Sequence, residues 1–176
     1  MRIGLAAQSR HQLQPLAIGL AGIAVLTASS YASVPMYPVP MTLQTLAVLA
    51  LGALLGPRAG TAVVLSWLGL AALGAPVLAG GKAGLSAFAG PTAGYLLAFA
   101  PAAFTAGWLV KSRVMAGHLS RFAGFLGLHT LILASGAAWL SVFAGWQAAF
   151  VAGVVPFLLG AALKSGLGAA ILALRD

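Results

Sequence analysis

The sequence predicts an all-α integral membrane protein, a bundle of six transmembrane helices with both termini in the cytoplasm. Three observations carry that prediction. Of 176 residues, 61% are hydrophobic and 6% charged, against roughly 25% charged residues in soluble domains, and the mean hydropathy is +1.05. Pro, Gly and cations divide the apolar residues into six blocks: Leu13–Val34, Met41–Leu55, Thr61–Leu73, Gly94–Val110, Leu119–Ala144 and Gln147–Leu174. With the N-terminus inside, Arg2, Arg10, Arg58, Lys111, Arg113, Arg121 and Arg175 fall on the inner side and only Lys82 falls outside, as the positive-inside rule requires. One domain covers 1–176, with 1–12 a short cytoplasmic segment before the first span.

The first block is too long for the apolar core of a signal peptide. Along it Ala17, Ala21, Ala24, Ala28 and Ala32 recur at spacings of three and four, a stripe that lets another helix approach closely, inside the fold or outside it. Pro35, Pro38 and Pro40 break the first connection, and Gly56–Pro57 breaks the second. The second and third blocks are shorter than the roughly 20 residues of a perpendicular span, which predicts tilt, re-entry or extension into their flanks. Two connections on the outer side, 34–45 and 74–95, are apolar with few polar groups. Such loops suit a lid over a pocket. Gly supplies hinges and backbone donors there, while Gln44, Lys82, Thr92 and Tyr95 orient a ligand. The competing readings are a plain turn at Gly90–Pro91 and a helix N-cap at Thr42. Trp67, Trp108, Trp139 and Trp146 read as interfacial or lipid-facing anchors.

The chemistry open to this chain is narrow. Its one acid is Asp176, which removes carboxylate-pair acid–base catalysis, an intramembrane acidic proton relay and a Ser-His-Asp triad. A Ser–His hydrolase built from Ser66 or Ser135 with His129 lacks a Gly-x-Ser-x-Gly frame. Without Cys, and with His11, His118 and His129 far apart, no metal site or cofactor is expected. The formal charge of +8 lacks the polar face that nucleic-acid binding needs. His129 reads first as a packing histidine bonded to a neighbouring helix. Lys164 is different. It lies ~12 Å along a helix from Pro156 and ~15 Å from Leu174, too far from either end to snorkel easily. An ammonium held inside a bilayer costs at least ~2.5 kcal/mol, so Lys164 is expected to face a cavity and to meet an anionic small molecule there.

The runs PVPMTLQTLAV at 38–48, LGALLGPR at 51–58, GAPVLAGG at 74–81 and GPTAGYL at 90–96 occur in one order over nearly the whole chain. In content and spacing the sequence resembles the BioY family, the biotin-specific S components of energy-coupling-factor (ECF) transporters. The resemblance implies a six-helix bundle of the ECF S-component type, set in a bacterial cytoplasmic membrane. It implies a substrate-capture subunit for biotin uptake that takes biotin from the extracytoplasmic side as transported ligand. Lys164, Tyr95, Thr92, Gly90, Gln44, Thr42, Gly80 and Gly81 would form the pocket. The implied partners are membrane lipid, a transmembrane T component that contacts Ala17, Ala21, Ala24 and Ala28, and ATP-binding subunits. Solitary action with self-association is the alternative. The chain has no Walker A motif, so any ATP-driven step falls to partners. One departure bears on the ligand: where the family carries Gly-Asp-x-x-Lys after a Pro-Phe pair, residues 156–164 read PFLLGAALK, with Ala161 at the Asp position. Ala93 and Ala98 likewise stand where the family often has Gly. An S component for another small anionic vitamin and a non-catalytic assembly subunit of a membrane complex are the competing functions.

Overall fold

The computed structural model describes residues 3–175, with side chains from Gln14 onward. The chain runs through helix α1 (Ile3–Tyr31), a short antiparallel hairpin of β1 (Ser33–Val34) and β2 (Met41–Thr42), then α2 (Gln44–Leu55) and α3 (Pro57–Ala72). Two 3-10 turns, Ala79–Gly81 and Leu85–Phe88, occupy the next connection before α4 (Ala93–Lys111), α5 (His118–Ala144), α6 (Trp146–Gly153) and α7 (Phe157–Ala173). Helix α1 begins ahead of Leu13, so residues 3–12 continue the first apolar helix.

By length and composition α1, α4 and α5 are each sufficient to cross a membrane, and α6 with α7 would add a fourth crossing as one pair bent by 45°. Helix α2, at 12 residues, is apolar but short. The sixth block is thus two helices. Val154 leaves helical geometry at φ −124°, and Pro156 has no N–H with which to continue the ladder and disfavours a helical residue before it.

Helix α4 lies at the centre, packed on α2, α3 and α5, while α5 also meets α6 and α7. Helix α1 leans on α2 and α3 from the outside. Its inward side is Gly22, Leu26 and Ser30, whereas Ala17, Ala21, Ala24 and Ala28 are all exposed. Lipid supplies no hydrophobic drive between helices, so contact depends on close packing. Gly52 of α2 shows how close. A Cβ there would lie 2.8 Å from Cα of Ala103 on α4, nearer than side-chain carbons normally come. At the same end Arg175 Nη1 donates to the carbonyl of Leu54 at 2.8 Å, bringing the end of α7 to the α2–α3 turn. Trp67 departs from the expectation of a lipid-facing anchor: it is fully buried and stacks on Phe99 of α4 with ring centroids 6.3 Å apart. Trp108 and Trp146 are exposed.

Candidate functional site

At the hairpin end of the bundle a cavity opens among the first connection, the Gly-rich third connection and the inner faces of α2, α4, α5 and α7. Its empty volume, mouth included, is about 740 Å³. Val39, Pro40 and Leu78 close it from the loops, and Leu96, Phe99, Leu133 and Phe157 form apolar walls. Five of the eight residues expected in a pocket line it: Thr42, Gln44, Thr92, Tyr95 and Lys164. Gly80, Gly81 and Gly90 do not. The first two leave the wall to Leu78, Ala79 and Lys82, and the carbonyl of Gly90 accepts a bond from Trp139 Nε1 at 3.0 Å, pinning the turn to α5.

Polar side chains enter this wall by distinct routes. The ammonium of Lys164, half-buried on α7, donates to Thr45 Oγ1 at 2.8 Å and to the carbonyl of Thr42 at 3.1 Å. Both acceptors are neutral. Gln44, buried at the start of α2, donates through Nε2 to Ser30 Oγ of α1 at 2.7 Å, and its Oε1 accepts from Thr42 Oγ1 at 3.1 Å. Thr42 Oγ1 also accepts from the backbone N–H of Gln44 at 3.3 Å, so it serves the helix start while its residue stays in the cavity wall. Tyr95 turns its hydroxyl away to the carbonyl of Gly153 at 2.8 Å, joining α4 to the end of α6. Its ring lies over Gly136, where any Cβ would overlap it. Tyr95 therefore offers the cavity an aromatic face.

Three further lining residues bear on the chemistry. Thr45 carries no signal beyond its place in a polar-poor stretch. Ala161 lines the cavity with 4% exposure, on the turn of α7 before Lys164. His129 also lines it, in addition to packing. Its Nδ1 lies 2.9 Å from the carbonyl of Phe125 and 3.0 Å from Ser165 Oγ. Ser165 in turn donates to the carbonyl of Ala161 at 2.7 Å. A serine hydroxyl spent on its own helix backbone, beside an imidazole with no acid behind it, is not an activated nucleophile. Ser66 is exposed on the outer side of α3, apart from this cluster. Among the described residues no group of His, Cys, Asp or Glu is placed to hold a metal ion.

The arrangement is a largely apolar cavity with one ammonium, that of Lys164, beside neutral oxygens, suited in shape and chemistry to a small molecule. Comparison with known proteins shows the family. The chain is 37% identical over 143 residues to a probable biotin transporter of Pyrococcus horikoshii, covering 81% of this chain and 84% of that one. It is 38% identical over 146 residues to the biotin transporter of Rhizobium etli, covering 78% of each. Among solved structures it matches the crystal structure of an S-component for biotin from an ECF-type ABC transporter with a TM-score of 0.83 and 28% identity, covering 94% of this chain and 93% of that one. The BioY family profile matches residues 6–175, and the chain belongs to the BioY family.

Proposed function

We propose that this chain is the membrane-embedded subunit that captures biotin for uptake, through the cavity under its two loops. The observation that carries the reading is Lys164, an ammonium facing an apolar cavity with only neutral oxygens as partners. Since the chain's one acid is Asp176, a charge-balanced state of the cavity calls for an anion from outside, and the carboxylate of biotin supplies it. Phe99, Phe157, Leu96 and Leu133 suit its apolar ring and chain. Transport, rather than catalysis, is the activity. The relatives named above are a biotin transporter and a probable biotin transporter.

In this reading the chain crosses the bacterial cytoplasmic membrane six times, α6 and α7 forming one bent crossing and the shorter α2 and α3 one each. Both termini lie in the cytoplasm and the hairpin faces out. The exposed alanines of α1 meet a T component, and ATP-binding subunits drive release. Ala161 favours a second reading, a different small carboxylate as ligand, because it leaves the cavity without the expected Asp.

Equilibrium binding of tritiated biotin to the purified protein in detergent tests the function: saturable binding at micromolar ligand is expected, and its absence sinks the proposal. Topology is testable on the natural chain because it contains no Cys. Lys82→Cys should react with an impermeant maleimide on intact cells, and Arg113→Cys only after permeabilisation. Equal labelling of both would overturn the orientation.

A further inference from the structure

His129 is 2% exposed and lines the cavity, and its Nε2 is buried without a hydrogen-bond partner among the described residues. A buried polar atom left alone costs free energy, so such an atom in a binding wall calls for an explanation. The other ring nitrogen settles its chemistry. Nδ1 faces the carbonyl of Phe125 at 2.9 Å, and a carbonyl can only accept. Ser165 Oγ, 3.0 Å away, has already placed its hydrogen on the carbonyl of Ala161. The Phe125 carbonyl therefore assigns the hydrogen to Nδ1, and Ser165 Oγ, bonded to Ala161, is left able to accept from it. No carboxylate among the described residues offsets a second cation beside Lys164, so the ring is neutral and Nε2 holds a free lone pair. His129 thus carries a buried, unpaired acceptor beside the cavity, its ring oriented by the α5 backbone and by Ser165 of α7, one turn from Ala161.

We infer that His129 determines ligand specificity by accepting, at Nε2, a hydrogen bond from an N–H donor of the bound molecule. The inference rests on the biotin reading, in which that donor is a ureido N–H. It assigns to α5 the acceptor that Ala161 no longer provides on α7. Nε2 is already unpaired without ligand, so a molecule with such a donor gains a bond there that a molecule without one does not, and the site prefers the first.

The probes are biotin and the two analogues in which one or the other ureido N–H is replaced by a ring oxygen, measured by equilibrium binding. Natural protein should bind one analogue about tenfold or more weaker than biotin, whereas His129→Leu should bind biotin and that analogue alike. His129→Gln, whose Oε1 reaches the place of Nε2, should restore the preference for biotin. Histidine ¹⁵N NMR on the natural protein adds a signature that packing alone would not move: an unprotonated Nε2 resonance of His129 that shifts with biotin and not with the rejected analogue. A protonated Nε2 in the free protein overturns the inference. So does natural protein that binds both analogues as tightly as biotin, or a preference that survives in His129→Leu. Should His129→Leu fail to fold, the Gln variant and the NMR signature decide. Biotin binding without discrimination sinks this inference alone, and no biotin binding by the natural protein sinks the biotin reading with it.

Discussion

At the hairpin end of the bundle, side chains from α2, α4, α5 and α7 surround a cavity, and polar atoms there or beside it still have capacity to bond, Lys164 and His129 Nε2 among them. At the opposite end, around the α2–α3 turn, backbones touch. A Cβ on Gly107 of α4 would lie 2.6 Å from the Gly52 carbonyl oxygen, and Arg175 ties the last helix to Leu54. The first end gives up packing and polar satisfaction around a cavity, while the second uses small residues to bring helices together where lipid would give them no other reason to associate. Substitutions at the two ends should therefore separate binding from stability.

The largest effect is expected at the cavity. Lys164→Met keeps the volume of the side chain and removes its charge, and should weaken biotin binding by about 10- to 100-fold, the equivalent of about 1.5–3 kcal/mol for a charge-assisted bond. Thermal unfolding in detergent should change little, because the ammonium's present acceptors are neutral and Lys164 itself is only half-buried. A large fall in Tm with affinity intact would reverse the contrast between the two ends. Gly52→Val is the mirror experiment. Its side chain has no room against Ala103, and overpacking of this kind destabilises by about 1–3 kcal/mol. The folded fraction that remains should bind biotin within about twofold of the natural protein, as expected for distant, independent sites. Affinity lost in proportion to stability would join the two ends into one unit.

These ends differ in legibility too. Helices α4 and α5 could be bounded from the sequence to within a residue or so, because Gly, Pro and cations mark their ends. The close contact at Gly52 could not, since an apolar helix in lipid shows no polar face to say which side is buried. Trp67 illustrates the same blindness: buried core and lipid are equally apolar, and an aromatic residue suits either. At the cavity end Lys164 was conspicuous because a lone charge inside the bilayer has few uses. The bond of His129 to a neighbouring helix was legible, but its partner Ser165 was not, as the two lie 36 residues apart and meet only when α5 packs on α7. The break between α6 and α7 had a visible cause in Pro156, yet its 45° bend also needed the loss of helical geometry at Val154, which nothing in an apolar run announces.

Smaller effects sharpen the comparison within the cavity itself. Ala161→Asp places a carboxylate on the wall of a cavity that lacks one, and should tighten biotin by about tenfold by adding a charge-assisted acceptor. The cost of His129→Leu should then shrink, because two acceptors would share the same donors. An unchanged cost of His129→Leu in the Ala161→Asp background, measured as a double-mutant cycle, would show that the two positions serve different parts of the ligand.

Tyr31 bounds the series from below. It is 54% exposed at the end of α1 and donates to the carbonyl of Pro76 at 2.6 Å, fastening that helix to the connection whose Leu78, Ala79 and Lys82 line the cavity. Because water competes for both partners, Tyr31→Phe should remove only about 0.5–1 kcal/mol. If that connection roofs the bound ligand, the loss appears mainly as faster release, since most affinity changes within one site are changes in dissociation. A chase of bound tritiated biotin with unlabelled biotin should give an off-rate raised about two- to fivefold, with Tm nearly unchanged. An off-rate equal to that of the natural protein would mean that the ligand leaves past the β1–β2 hairpin, and that the third connection is a fixed wall of the cavity instead of its lid.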